Sequence, residues 1–204
     1  MNKKLRLFTS IASLTLVIAV MSVAIWAAAN ATVTIGGTIN YTATGNIRAT
    51  VALQENGTNS TSTPTITGGA AGNQPTATAG QLVFDGDEEA GLTGAFQLGT
   101  AGTITLTATD GQTENVTYSY TVTITNDYAT ADTATNKSLS VTFTLPTSTD
   151  YTTVTATGWD GDGATRTITL EPTESASVTV LFSVNPNISV TNYSIASSLA
   201  LAVA

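Results

Sequence analysis

Residues 138–145 read Ser138-Leu139-Ser140-Val141-Thr142-Phe143-Thr144-Leu145. Val141, Phe143 and Leu145 recur at every second position with Thr142 and Thr144 between them, the period of a strand that buries one face and wets the other. The same alternation appears in Thr103-Ile104-Thr105-Leu106-Thr107-Ala108 and again in Val178, Val180 and Phe182. Extending it in both directions predicts strands at Thr32–Ile35, Thr38–Thr44, Ile47–Leu53, Gln81–Phe84, Gly94–Leu98, Thr103–Thr109, Asn115–Thr125, Ser138–Leu145, Thr152–Trp159, Thr165–Leu170, Ser177–Val184 and Tyr193–Val203. No stretch after residue 31 keeps a helical period, and Gly, Asn, Asp and Pro punctuate the runs. The expected fold is therefore all-β: an antiparallel β-sandwich of jelly-roll type over residues 38–204, interrupted by a long Gly-, Asn-, Ser- and Thr-rich loop at about 55–80.

Composition supports this and excludes much chemistry. Of 204 residues, 43 are Thr and 16 are Ser, which suits half-exposed strand faces and disfavours helices. His and Cys are absent. That removes an imidazole base, a thiol nucleophile, a zinc site of the N/S type and any disulfide. A serine triad is excluded for want of His, and a Ser-Lys pair after the N-terminal segment has only Lys137 to use. The chain is expected not to be an enzyme.

Lys3, Lys4 and Arg6 precede an apolar stretch from Leu7 to Ala29, which leaves through Trp26, Ala27, Ala28 and Ala29. A basic start, an apolar centre and a small-residue exit make a secretory signal, expected as a helix over residues 1–27 with cleavage at Ala27 or Ala28. The other reading of the segment is an uncleaved anchor, long enough to span a bilayer. Either puts the bulk of the chain outside the cytoplasm, extracellular or at the cell surface, with the membrane touched only through this segment. Removing it leaves Arg48, Lys137 and Arg166 against 14 carboxylates, a formal charge of −11. Nucleic acid is not an expected partner of such a surface.

Two acidic groups invite a metal reading. Asp85, Asp87, Glu88 and Glu89 supply oxygen ligands of the kind calcium takes, making calcium the one cofactor to consider beside none. Asp160-Gly161-Asp162-Gly163 resembles the start of an EF-hand loop but has Thr165 where that loop needs Gly, and a hairpin turn between the flanking strands accounts for it. Trp159 and the pair Tyr118 and Tyr120 are the candidate sugar platforms, with core packing as the plainer reading. Asn-x-Ser/Thr sequons stand at Asn30, Asn40, Asn56, Asn59, Asn115, Asn136, Asn187 and Asn192, where a chain this rich in Thr produces several by composition alone.

The two ends of the chain together resemble the TasA and camelysin family of secreted fibre proteins. Ile25-Trp26-Ala27-Ala28-Ala29-Asn30 is similar to the family's junction between signal and mature chain. Thr32-Val33-Thr34-Ile35-Gly36-Gly37-Thr38-Ile39 and Ile47-Arg48-Ala49-Thr50-Val51 resemble its first strands. Leu170-Glu171-Pro172-Thr173-Glu174-Ser175 before Val178-Thr179-Val180-Leu181-Phe182 is similar to its turn ahead of a late core strand, with Thr173 standing where the family has Gly. No Phe-x-Asp follows the signal. The resemblance implies a jelly-roll subunit that polymerises through an N-terminal strand. The metalloprotease activity attached to camelysin-like proteins does not carry over, because a chain without His has no HExxH zinc site.

The residues themselves allow such a role. Ala28, Ala29, Asn30, Ala31, Thr32, Val33, Thr34 and Ile35 are small or β-branched, and Gly36 and Gly37 follow as a hinge. Freed by cleavage, this segment has the chemistry to add as a strand to a neighbour's sheet, and a head-to-tail contact of that kind propagates. The expected function is a secreted structural subunit of an extracellular filament, biofilm matrix or surface layer, with further copies of itself as partner. The other reading is a monomeric cell-surface adhesin or binding module, in which Thr32–Ile35 completes its own sheet.

Overall fold

The computed structural model describes residues 32–56, 64–67, 76–78, 80–86, 91–99, 103–107, 116–129, 137–148, 152–161, 163–184 and 192–203. The signal segment and residues Ala28 to Ala31 lie outside them. Thirteen strands follow in order: β1 (Thr32–Thr44), β2 (Arg48–Asn56), β3 (Pro64–Thr67), β4 (Thr76–Thr78), β5 (Gln81–Asp85), β6 (Leu92–Gln97), β7 (Thr103–Thr107), β8 (Val116–Asn126), β9 (Leu139–Thr144), β10 (Thr152–Thr157), β11 (Thr165–Leu170), β12 (Ser175–Val184) and β13 (Asn192–Val203).

The strands form two sheets. One is seven-stranded, ordered β11-β9-β13-β1-β6-β3 with β7 also on β1; the other is six-stranded, ordered β10-β12-β8-β2-β5-β4. Most successive strands change sheet, so the chain wraps around a single core, as alternation on a two-layer fold requires. The all-β sandwich read from the sequence is the observed architecture. One pairing departs from the antiparallel expectation: β1 runs parallel to β13 from Thr34↔Asn192 to Thr44↔Ala202. A parallel pair needs a long crossover, and the whole domain between first and last strand supplies it.

The opening octapeptide behaves as its period predicts. Leu139, Val141 and Phe143 are buried while Ser140, Thr142 and Thr144 are half-exposed. Their inward side chains meet Tyr118, Tyr120, Val122 and Ile124 of β8 and Val178, Val180 and Phe182 of β12 in one cluster. Each fully buried Phe or Val side chain contributes roughly 1.5–3 kcal/mol. On the outer face the hydroxyls pair across strands: Thr121 with Thr179 at 2.9 Å, Thr123 with Ser177 at 2.8 Å and Thr125 with Ser175 at 2.7 Å. Such pairs give sheet stabilisation to residues that bury no carbon, a use for the Thr and Ser excess.

Three local readings change. Residues 55–80 are not a bare loop: Glu55 and Asn56 complete β2, and Pro64–Thr67 and Thr76–Thr78 form edge strands on β6 and β5. β10 and β11 are not a hairpin, because β10 pairs with β12 in one sheet and β11 with β9 in the other. Asp160, following β10, meets β11 at the bridge Asp160↔Thr167, and Gly161 O accepts from the Arg166 guanidinium of β11. Trp159 follows β10 rather than ending it, and lies partly buried against the core edge-on to Phe143 at 6.4 Å and 85°.

Gly94 shows what a missing side chain can do in a strand. It sits directly opposite Tyr41, and a Cβ there would stand 2.6 Å from the Tyr41 Cζ. The ring lies over the glycine and meets Phe84 and Phe96 edge-on, at 5.8 and 6.4 Å, so aromatic carbon fills the space that Gly leaves open.

Thr173 carries strain of the opposite kind. It sits at φ 72° after Pro172 in a turn closed by Glu174 N–H to Glu171 O at 3.0 Å. A β-branched residue in the left-handed region is disfavoured by about 1–3 kcal/mol, and Gly carries no such penalty. Thr173→Gly is expected to raise stability by about 1 kcal/mol, the gain being reduced by the greater entropy of Gly in the unfolded chain. Urea unfolding checks this, and an unchanged or lower midpoint contradicts it.

Candidate functional site

The first strand is the centre of its sheet, and its two halves are held differently. From Thr38 to Ala43 it pairs with β6; from Thr32 to Gly36 it pairs with β7 in the register Thr32↔Thr107 to Gly36↔Thr103. β13 flanks both halves. Thr32, Val33, Thr34 and Ile35 therefore complete the sheet of their own subunit in this structure.

The change of partner falls at Gly36–Gly37, which lies inside β1 rather than forming a separate hinge. Leu98, just past the end of β6, donates its N–H to Gly37 O at 2.9 Å. A Cβ on Gly37 would stand 2.7 Å from the Leu98 Cβ, so the glycine is required for packing at this joint.

Beneath the joint lies a buried polar group that ties the two sheets together. Glu55, 3% exposed at the end of β2, accepts a hydrogen bond from Gly99 N–H at 2.6 Å and another from the Tyr118 hydroxyl. Tyr120 shares a 2.7 Å hydrogen bond with Ser197 of β13, which lies opposite Ile39 of β1. The rings of Tyr118, Tyr120 and Phe182 lean on one another at 5.9–6.3 Å. Burial holds the Tyr118 phenol well above its ordinary range, with the hydrogen bond and charge of Glu55 adding to it. Burial also raises Tyr120, opposed by its bond to Ser197, while Tyr41 is pushed up to about 12 by burial alone. These groups brace the joint.

At the other end Asn126 is a second hub, fully buried. Its Nδ2 donates to Lys137 O and Leu170 O, both at 2.9 Å, and its Oδ1 accepts from Tyr128 N–H at 3.2 Å. Tyr128 in turn donates to Asn46 O, and two cations stand over its ring, Arg48 Cζ at 5.8 Å and Lys137 Nζ at 4.8 Å from the centroid.

The remaining candidates disperse. Asp85 ends β5, exposed, with its backbone carbonyl accepting from Arg48 Nε at 3.1 Å. Asp87, Glu88 and Glu89 lie outside the described residues, among which no group of three or more acidic side chains is placed to hold a metal ion. Tyr118 and Tyr120 are core residues, which leaves no exposed sugar platform there. No helix among the described residues is long and apolar enough to cross a membrane.

What fold and site define is a β-sandwich domain whose polar interior braces its first strand. No family model matches the chain, and no curated protein matches it. Among solved structures it is compared with the yeast delta-COP-I mu-homology domain complexed with a Dsl1 WxWxV peptide. That pair has 7% identity over 84% of this chain and 96% of that one, with a TM-score of 0.21. The Fcho1 mu homology domain of Danio rerio with a bound Eps15 peptide gives 6% identity, 85% and 96% coverage and a TM-score of 0.24. The major pilin protein (T3.2) of Streptococcus pyogenes gives 8% identity, 81% and 96% coverage and a TM-score of 0.16. A shared topology does not follow from values this low.

Proposed function

We propose that the chain is a secreted, non-catalytic structural subunit of an extracellular filament, biofilm matrix or surface layer, assembled by exchange of its first strand between copies. The observation that carries this reading is the division of β1 at Gly37. The half before the joint is paired with β7 and β13, whereas from Ile39 onward the strand contributes Ile39, Tyr41 and Ala43 to the buried core. Release of residues 32–36 gives up their main-chain pairing with β7 and β13 while Ile39, Tyr41 and Ala43 keep their places in the core cluster. An incoming copy of the same segment remakes each of those hydrogen bonds, so exchange is close to neutral for each contact and is driven by the concentration of subunits. Export through the N-terminal segment, followed by cleavage at Ala27 or Ala28, delivers the strand with a free end.

Electron microscopy of the processed protein, beside a variant lacking residues 28–35, tests it. The processed protein is expected to form regular filaments. The deletion variant is expected to stay folded and β-rich by circular dichroism while forming none. A monodisperse monomer at all concentrations contradicts polymerisation and favours the adhesin reading. A deletion variant that unfolds assigns the strand permanently to its own subunit.

A further inference from the structure

We propose that Glu55 is a latch that fixes how far the first strand can open, confining its release to residues 32–36. The part this latch plays in assembly rests on the strand-exchange reading above, whereas the latch itself is a property of the single subunit.

On the side of β1 away from β13, the two partners are consecutive in the chain and both antiparallel to it. β6 runs against Thr38–Ala43 and β7 against Thr32–Gly36. Gln97 stands opposite Thr38 and Thr103 opposite Gly36, so five residues of sequence, 98–102, are inserted where β1 has only Gly37. An ordinary β-bulge inserts one. The first inserted residue, Leu98, is fully buried and donates its N–H to Gly37 O at 2.9 Å. The second, Gly99, donates its N–H to the Glu55 carboxylate at 2.6 Å. Glu55 belongs to β2 in the other sheet, so the joint is tied across the sandwich.

The cost of opening changes at that tie. From Thr32 to Gly36 the ladder holds β1 by main-chain bonds to β7 and β13, which water replaces as they part. At Gly37 the strand meets Leu98, which has no exposure, and beside it a hydrogen bond to a carboxylate that is 3% exposed. Bonds to carboxylates are short and strong, and breaking this one inside the fold leaves a buried acceptor with one donor fewer. With Gly99 fixed, Leu98 stays against Gly37 and the end of β6 is kept from fraying. Without that bond the same opening runs on into Thr38↔Gln97 and the pairs beyond it.

Amide hydrogen exchange of the processed protein, read at concentrations where it is monomeric, tests this. In the wild type, residues 32–36 are expected to exchange about tenfold or more faster than residues 38–43. Residues 38–43 are expected to keep pace with residues 178–182 of β12, whose Val178, Val180 and Phe182 are buried in the core. In Glu55→Leu, residues 38–43 are expected to exchange about tenfold or more faster than residues 178–182. Glu55→Gln, which keeps an acceptor oxygen for Gly99, and Tyr118→Phe, which leaves the Gly99 bond in place, are expected to retain the wild-type order. A general loss of stability speeds 38–43 and 178–182 together, so that result in Glu55→Leu overturns the proposal. A wild type without a step at Gly37 overturns it too, and this check stands even where Glu55→Leu does not fold. Filament formation plays no part in the readout, so a failure of strand exchange and a failure of the latch are told apart.

Discussion

Replacing Asn126 with alanine is expected to lower the stability of the folded chain by about 3–5 kcal/mol, a large effect for a single substitution. The reason is what the amide leaves behind. Lys137 O and Leu170 O lose their donor and Tyr128 N–H its acceptor, at a position where Asn126 itself has no exposure. A buried polar group without a partner costs about 1–3 kcal/mol, and these three are divided between fully and partly buried surroundings. Asn126 also sits on backbone bonds to the strained turn, donating to Glu174 O and accepting from Thr173 N–H, so loosening it loosens the entry to β12. Asn126→Asp separates amide chemistry from size. The carboxylate keeps an acceptor for Tyr128 but faces two carbonyl oxygens with no proton to give. The aspartate variant is therefore expected to be destabilised as well and to recover as the pH falls and the group protonates. Urea unfolding of both variants checks this, and wild-type stability in Asn126→Asp would remove the amide hydrogens from the account.

Asn126 also marks where the sequence could be read and where it could not. The parity that identifies Tyr118, Tyr120, Val122 and Ile124 as inward continues to Asn126 and Tyr128. Asn followed by Asp reads as a turn, and the strand is expected to stop at Thr125, so the buried amide passes unnoticed. Glu55 is the same case. It shares a face with Ala49, Val51 and Leu53, yet it opens a polar, Gly-rich stretch and is taken for its first loop residue. A period of two carried one step beyond the last apolar residue places both groups in the interior.

Other features have no local signature. Period two says which face of a strand is buried but not which strand lies beside it. The parallel β1–β13 pair joins residues more than 150 positions apart, and the turn-like Asp160-Gly161-Asp162-Gly163 reads the same whether it closes a hairpin or crosses between sheets. Gly36–Gly37 likewise reads as a flexible joint, because only the packed fold puts Leu98 against Gly37. The joint remains in the sense that matters for exchange, as the point where β1 changes partner.

Raising the pH above about 10 is expected to unfold the domain cooperatively. In the unfolded chain each tyrosine loses its proton near pH 10. In the folded chain Tyr41 keeps its proton to about 12, and Tyr118 and Tyr120 keep theirs beyond it, all three chiefly through burial. Between those limits the folded state binds more protons than the unfolded one, so stability falls as pH rises. Each tyrosine takes away about 1.4 kcal/mol per pH unit, roughly 4 kcal/mol for the three together, which exhausts an ordinary stability of 5–15 kcal/mol within a few units. Below pH 10 the contribution is fully present. The phenolate absorbance of these three tyrosines, read as the difference between the wild type and variants in which each is replaced by Phe, is therefore expected to appear in the same step as the loss of β-sheet circular dichroism. Tyr120→Phe should reduce the slope of stability against pH by about a third above pH 10, at the expense of the bond to Ser197. Tyr118→Phe reduces the slope likewise but leaves Glu55 with one donor fewer, so its stability at neutral pH is expected to fall further than that of Tyr120→Phe. If that difference signal from Tyr41, Tyr118 and Tyr120 instead appears gradually near pH 10 while the sheet signal persists, water reaches these rings and the joint under β1 is open in solution.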